Sequence, residues 1–413
     1  MAELNPPTPR LSGEMPYVPM EAIGLGGGLC VDTTRNIDQE SSGLTYFQDG
    51  DVLIAKITPC FENGKCALAT GLPDGHAVGT TELHVLRCGP RLRPKFLFYV
   101  VQSHTFRQAG EASMTGAAGQ KRVTPEFIAN YGVLLPDHVE QDAVVDFLNR
   151  ATLEIDELVA KKQRLIELLE EKRAALISRA VTQGLDAGVP MKDSGVEWLE
   201  RVPAHWRLGR VKWLARTQSG GTPNSQDAGL YGGEIPWLRT LDLTNGPVSN
   251  APILITEEAL MQIAGDVLPT GSVLIAMYGG EGTIGKFGIL EIEAAVNQAI
   301  CAILPCAAVL PTFLGTYIEF YRPFWMADAQ GTRRDPNISQ DIVRRLMVPL
   351  PPVAEQQRIA EYVEREATKL QRIAAGCRAT IGRLREYRSA LITAAVTGQL
   401  DLKKHEKQME ALA

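Results

Sequence analysis

Gly280-Glu-Gly-Thr-Ile-Gly285-Lys286 follows the apolar run Val273-Leu274-Ile275-Ala276-Met277. A glycine, four residues, then glycine-lysine after a strand is most of the loop that cradles nucleotide phosphates. That chemistry also needs Ser or Thr after the lysine to hold Mg²⁺, and a helix whose N-terminus faces the phosphates. Phe287 follows instead, and KFGILEIEAAV reads as a strand, so Gly285-Lys286 reads as a hairpin turn with lysine at its tip. Asn5-Pro6-Pro7-Thr8 lacks the aromatic that an adenine-methylating Asn-Pro-Pro loop stacks on a flipped base, and no strand precedes it. Pro136-Asp137 with Glu170-x-Lys172 makes a poor nuclease pattern, because residues two apart on a helix face different ways. The seven cysteines have no metal-ligand spacing and read as scattered reduced thiols, and the six histidines are dispersed. No catalytic or metal constellation emerges from these residues.

Other residues suit binding. Gly119-Gln120-Lys121-Arg122 and Gly331-Thr332-Arg333-Arg334 are glycine turns loaded with polar and cationic groups. Lys65 and Lys286 stand at matching hairpins, Arg239 follows Trp237 in a loop, and Asn297 and Gln298 carry amides suited to adenine. Such groups hold phosphates and read base edges; each also has a plain role as a solvated turn or a backbone-capping amide.

These positions match because the chain is written twice. GDVLIAKITPCFENGKC from Gly50 aligns without a gap on GSVLIAMYGGEGTIGKF from Gly271, 221 residues on. VLLPDHVEQ from Val133 matches VPLPPVAEQ from Val348, and EKRAALISRAVTQGLD from Glu171 matches EYRSALITAAVTGQLD from Glu386, both 215 apart, the last identical at ten of sixteen positions. Each copy opens with β-type runs: VLIAKI, ELHVLRC and FLFYVV in the first, SVLIAMY, AVNQAICAIL and FLGTYI in the second. A Pro-punctuated strand follows, YGVLLP or RLMVPLPP, then a long helix over roughly 140–182 or 355–397 that begins with Glu-Gln. Ile155, Leu158, Leu165, Leu169 and Leu176, and in the second helix Leu370, Ile373, Cys377, Leu384, Tyr387 and Leu391, fall on seven-residue frames that predict coiled-coil pairing.

The 413 residues, 45% apolar and 22% charged, fit two or three soluble domains. No apolar run reaches the length of a membrane span and no signal-peptide core opens the chain, which points to the cytoplasm. A net charge of −6 advertises no nucleic acid, so DNA binding would require local basic loops or charge from partners.

The segment from Glu171 to Trp206, with GGTPN (Gly220–Asn224), IPWLRTLDL (Ile235–Leu243), GSVLIAMYGG, AVNQAI (Ala295–Ile300) and PLPPVAEQQRIAEYV (Pro349–Val363), is similar to type I restriction-modification specificity (S) subunits, in the family's order over nearly the whole chain. The resemblance implies an α+β fold of two repeated mixed α/β target recognition domains joined by two long helices in an antiparallel coiled coil. The implied boundaries are 1–138 for the first recognition domain, 139–183 for the first helix and 184–206 for a linker; 207–353, 354–398 and 399–413 follow as second domain, second helix and tail. It also implies a non-catalytic chain that binds double-stranded DNA at a split target. Two methyltransferase (M) subunits and restriction (R) subunits would dock on it, and they would use S-adenosylmethionine, ATP and Mg²⁺, with no cofactor in this chain. A stand-alone DNA-binding protein, or a truncated and partly functional one, is the alternative; the acidic charge disfavours a solo binder.

One departure stands out. The second copy opens with Asp193 to Trp237, whereas the first reaches the corresponding Val18-Pro19 after seventeen residues, about two dozen positions short. The first domain is therefore expected to lack the opening helix or strand and a GGTPN-like loop. About 42 helical residues at ~1.5 Å each span roughly 63 Å, enough for the helices to set the unread spacer between half-sites. Four residues inserted after Val181 should lengthen that spacer by about one or two base pairs. Single-molecule mapping of methylated adenine checks this, and an unchanged motif contradicts it.

Overall fold

The computed structural model describes residues 2–39, 43–117, 119–279, 282–330 and 337–402. Contacts divide the chain into two compact units, residues 1–164 with 377–413 and residues 165–376, so each long helix contributes one part to each unit.

The first unit begins with strands β1 (Ala2–Leu4), β2 (Glu14–Val18), β3 (Thr33–Asn36) and β4 (Leu44–Gln48). Strands β5 (Val52–Ala55), β6 (Cys66–Leu68), β7 (His76–Thr80) and β8 (Leu83–Cys88) follow. Then come helices α1 (Pro94–Gln102), α2 (His104–Ala112), α3 (Pro125–Asn130) and the long α4 (His138–Gln183). The strands form two sheets, ordered β1-β8-β5-β6 and β3-β2-β7-β4.

The second unit adds β9 (Met191–Asp193), β10 (Arg201–Pro203), β11 (Arg207–Arg210), α5 (Val211–Leu214) and β12 (Thr217–Ser219). Next are β13 (Tyr231–Leu238), β14 (Gly246–Val248), β15 (Ile253–Ile255), α6 (Glu257–Gln262), β16 (Val273–Ala276) and β17 (Phe287–Leu290). It ends with β18 (Ala295–Val296), β19 (Ile300–Ile303), α7 (Pro311–Gln330), α8 (Gln340–Arg345), β20 (Met347–Leu350) and the long α9 (Val353–Val396).

The pairings repeat. In the first unit β5 lies between β6 and β8, and β8 carries β1 at the edge; in the second, β16 lies between β17 and β19, and β19 carries β12. The parallel pair β2–β7 (Tyr17 opposite Val78) has its twin in β13–β18 (Trp237 opposite Ala295). Even the caps agree: the Thr124 hydroxyl accepts from Phe127 N–H to start α3, and the Ser339 hydroxyl accepts from Ile342 N–H to start α8.

Two runs expected as strands are helices. FLFYVV lies in α1 and FLGTYI in α7, each with proline at the first helical position, where the missing N–H costs nothing. Every residue from Phe96 to Gln102 is buried, so no polar stripe reveals the helical period. Among the described residues RLMVPLPP supplies a strand, β20, paired with β11, while YGVLLP has no strand partner.

Each long helix is fastened to its unit by the same buried amide. The Gln141 side chain donates to the carbonyls of Arg91 (3.0 Å) and Pro136 (2.9 Å) and accepts from Arg93 N–H (2.8 Å). The Gln356 side chain donates to Ala308 (3.0 Å) and Pro351 (2.9 Å) and accepts from Leu310 N–H (2.8 Å). Both are fully buried, which explains the Gln of each helix start. An arginine pair repeats in the same way. Arg388 bonds Gln102 of α1 (3.1 Å) and Asp156 of α4 (3.0 Å), and Arg173 pairs with Glu319 of α7 (2.5 Å).

The seven-residue frames are partly wrong. On α4, Leu158 and Leu165 are 40% and 38% exposed, while Val144, Ile155, Ile166 and Ile177 are buried at intervals of eleven. Eleven residues make three turns of an undistorted helix, whereas strict sevens drift around it. On α9, Leu370, Cys377 and Leu391 are buried as expected, but Ile373 and Tyr387 are 50% and 45% exposed. Ala367, Ala374, Ile381 and Ala395 take the companion positions. Small alanines are inconspicuous in sequence.

Replacing Gln141 or Gln356 by Ala strands two buried carbonyls and an amide, and should lower stability by about 2–4 kcal/mol. Urea denaturation measures this; a change under about 0.5 kcal/mol contradicts the fastening role.

Candidate nucleic-acid interface

The matched loops converge at one edge of each unit. In the second unit, the parallel strands β13 and β18 end together, and Asn297 N–H donates to Leu238 O, beside Arg239. Asn297 Oδ1 accepts from Ala299 N–H at 3.2 Å, Met277 N–H donates to Ala299 O, and Ile338 N–H donates to Met277 O. Arg239, Asn297, Gln298, Tyr278 and Asn337 are thus linked by a short chain of backbone bonds. The GGTPN loop closes this edge: the Thr222 hydroxyl reaches Gln298 Oε1 at 2.5 Å, and the buried Trp237 indole donates to Gly221 O at 3.1 Å. Glycine is needed there, since a side chain on Gly220 would run into Val296 O at 1.7 Å.

The first unit repeats the arrangement. Glu82 N–H donates to Thr80 Oγ1 (3.3 Å), Lys56 N–H to Glu82 O, and Val123 N–H to Lys56 O. Thr80-Thr81 therefore stands where Asn297-Gln298 stands. By the same bonds Arg122 stands where Asn337 stands, since Ile57 bridges Arg122 as Tyr278 bridges Asn337. The helix caps Thr124 and Ser339 are likewise 215 residues apart, as Arg122 and Asn337 are. Thr332, Arg333 and Arg334 lie outside the described residues.

The remaining candidates are placed as follows. Gln120 and Lys121 are exposed. Arg122 forms a two-pronged pair with Glu82 (2.9 and 2.8 Å), which holds the carboxyl below its usual range. Lys65 is half-buried and donates to Met20 O (2.8 Å), so it braces a loop and does not project from the turn. Lys286 is half-buried beside Gly285, and Phe287–Leu290 after it is a strand, as the rejection of a phosphate loop requires. Gly280 and Glu281 lie outside the described residues. Arg239 is partly exposed, with its N–H on Asp242 (2.8 Å) and its guanidinium 3.6 Å from that carboxylate. Asn297 and Gln298 sit in a turn and not mid-strand, and Asn297 does cap the backbone.

Sequence reading missed Lys56, whose ammonium is pushed down chiefly by burial, against the pull of Glu82. It lines a cleft of about 310 Å³ with Asn5, Thr8 and Tyr46. Its signal was the alignment with Met277, which hid a lysine among apolar residues. The expected loss at the front is also smaller than thought. Strand β1 pairs with β8 as β12 pairs with β19, so the opening edge strand is present. Pro6-Pro7-Thr8-Pro9 then fills the interval that Gly220-Gly221-Thr222-Pro223 fills in the second unit. Leu400 and Leu402, read as tail, pack on the first unit's core, as Leu185 does in the second. What has no counterpart in residues 2–17 is the stretch from β10 to α5.

Asn5 is held by Val85 N–H (3.0 Å) and lies 3.4 Å from His84 Nδ1, a sheet-edge clamp. Cys66 and Cys301 are buried, and burial pushes both thiols up to about 12, far from nucleophiles. Among the described residues no cluster of three metal-ligating side chains exists, and no helix is long and apolar enough to cross a membrane.

A family model for the type I restriction modification DNA specificity domain matches residues 203–384. Residues 203–384 are thus similar to a type I DNA specificity domain. Over 165 residues the chain is 36% identical to the EcoEI specificity subunit of Escherichia coli, covering 38% of this chain and 28% of that one. Over 149 residues it is 39% identical to the EcoAI specificity subunit, covering 35% and 25%. The matched stretch thus spans about a quarter of those relatives' length. In fold the chain is similar to one solved within the type I R-M system, with a TM-score of 0.75 at 19% identity, covering 94% and 93%. The HsdS subunit of Thermoanaerobacter tengcongensis gives 0.52 at 19%, covering 94% and 92%. The specificity domain as matched therefore contains the Arg239–Gln298 edge.

His84 joins this edge to the rest of the first unit. Its Nε2–H faces Val123 O (3.0 Å), and burial holds its pKa below the usual imidazole value. The unfolded chain then binds a proton more readily. The stability it contributes is full above the ordinary value and is lost as pH falls towards the depressed one. Urea midpoints should drop between about pH 7.5 and pH 5, and His84→Phe should flatten that drop; an equal drop in both proteins contradicts it.

Proposed function

We propose that this chain is the non-catalytic specificity subunit of a type I restriction-modification complex. Its two units each read one half of a split DNA target through the edge that holds Lys56, Gln120 and Lys121 in the first, and Arg239, Asn297 and Gln298 in the second. The observation that carries this reading is the repetition of one backbone scaffold at both edges, with polar and cationic side chains at corresponding turns. The match of residues 203–384 to a DNA specificity domain supports it. In this reading α4 and α9 run side by side in opposite directions, and their outward faces dock two M subunits. The M subunits bring S-adenosylmethionine and R subunits bring ATP-driven cleavage.

The chain's acidic balance, −6, fits a subunit whose affinity for DNA is completed by partners. Amides and guanidinium groups reading base edges discriminate by about 1–3 kcal/mol per bidentate contact, whereas lysines on phosphates add affinity without sequence.

Co-expressed with its M subunit, the chain should direct N6-methyladenine to a two-part motif. Gln298→Ala should relax one half only, and Lys121→Ala should weaken binding evenly while lowering the salt slope by about one. Single-molecule sequencing and salt-dependent binding assays read these effects. A motif untouched by both changes contradicts the assignment of the edges.

A further inference from the structure

The second unit carries a basic surface next to the edge that holds Arg239 and Gln298. Helix α8 leaves that edge directly: Ile338 N–H donates to Met277 O, and the Gln340 side chain donates to Thr217 Oγ1 (3.0 Å), just before the GGTPN loop. Helix α5 packs beside α8, with Val211 N–H on Leu346 O at the far end. The two helices and their flanks hold Arg210, Lys212, Arg216, Arg344 and Arg345. Arg345 pairs with Asp341 of its own helix, but among the described residues no carboxylate pairs with the other four. Trp213 is 69% exposed, with the Arg210 guanidinium 5.4 Å and the Lys212 ammonium 5.5 Å from its ring centre. Helix α3 offers no such cations: at the offset of 215 that joins Thr124 to Ser339, Ala129 and Asn130 stand where Arg344 and Arg345 stand.

We infer that Arg210, Lys212, Arg216 and Arg344 grip backbone phosphates of duplex DNA beside the half-site offered to the second unit, a contact without base preference. The inference rests on the proposed DNA-facing role of that edge. Four cations without acidic partners, on a chain of net charge −6, repel one another until an anion meets them. The duplex backbone is the anion whose dimensions fit. Arg344 stands about 6 Å of helical rise beyond Gln340, and a major groove about 12 Å wide puts its phosphate walls at that scale from any loop touching base edges. Cation–π attraction to Trp213 orients Arg210 and Lys212 in advance, so less side-chain freedom is lost on contact. A protein dock would centre on apolar side chains with charge at its rim. Here only Trp213 and Ile342 are large, apolar and exposed on α5 and α8, and the cations outnumber them.

The test titrates the complex of the full chain and its M subunit with two duplexes over a range of salt concentrations. One duplex carries the motif mapped from methylated adenines, and the other is scrambled. Lys212→Ala combined with Arg344→Ala should lower the salt slope by about two on both duplexes, since each lost phosphate contact removes about one. Lys212→Arg combined with Arg344→Lys keeps both charges and should keep the slope. An unchanged slope in the alanine pair overturns the inference, and so does a slope that falls as far in the charge-keeping pair. A loss confined to the motif duplex overturns it as well, because it would mean base reading. Release of the M subunit by the alanine pair at an unchanged slope would make this face a protein dock and overturns it too. The edge itself fails or stands separately: Gln298→Ala tests it through the methylated motif, whereas the slope of the alanine pair is read on the scrambled duplex, where no motif is present.

Discussion

The structure depends on a buried glutamine at the start of each long helix. Gln141 and Gln356 each hold two carbonyls and one amide of their own unit in a place closed to water. An amide is the one uncharged side chain that donates twice and accepts in a single plane. Removing it leaves several backbone groups unsatisfied at once, so the angle at which helix leaves globule is tightly specified. Arg388 and Arg173 add a second fastening several turns along, between helix and the end of α1 or the middle of α7. The proposed role in sequence reading needs this rigidity, since a base edge is missed if the loop meant to read it moves by an ångström.

From those fastenings the rest follows outward. The helices bury apolar residues in each unit's core beside the central strands β5 and β16, and the turns after β5, β13 and β18 carry Lys56, Arg239 and Asn297-Gln298. The loops proposed to read DNA are tied down by backbone bonds, from Lys56 through Glu82 to Val123 in one unit and from Met277 through Ala299 to Ile338 in the other. Side chains at these turns are thereby free to differ. Thr80 and Asn297 cap corresponding amides with different oxygens, and Arg122 pairs with Glu82, whose place in the second unit is taken by Ala299. One frame with different side chains is what the proposed pair of half-site readers requires.

Much of this was legible in the sequence because duplication is visible without any structure. The long helices lie within two residues of their expected ends, and VLIA is a central strand in both units. What failed did so for identifiable reasons. FLFYVV looked like a strand because a helix buried on all sides shows no period. Ile373 and Tyr387 looked like seam residues because they are large and apolar, while the alanines that do the packing are plain. Lys65 looked like a free tip because a carbonyl from Met20, 45 residues earlier, cannot be seen in a local motif. The first domain looked shorter at its front than it is because β1 and the Pro6–Pro9 turn share only Thr-Pro with β12 and the GGTPN loop that they match in place.

Hydroxyl-radical footprinting of the complex on its methylated target tests the central claim most directly. Two equivalent readers predict two protected patches separated by an open spacer, with the patch opposite the second unit lost when Arg239 and Gln298 are both replaced by Ala. A single continuous patch, or two patches that both survive that replacement, would contradict it.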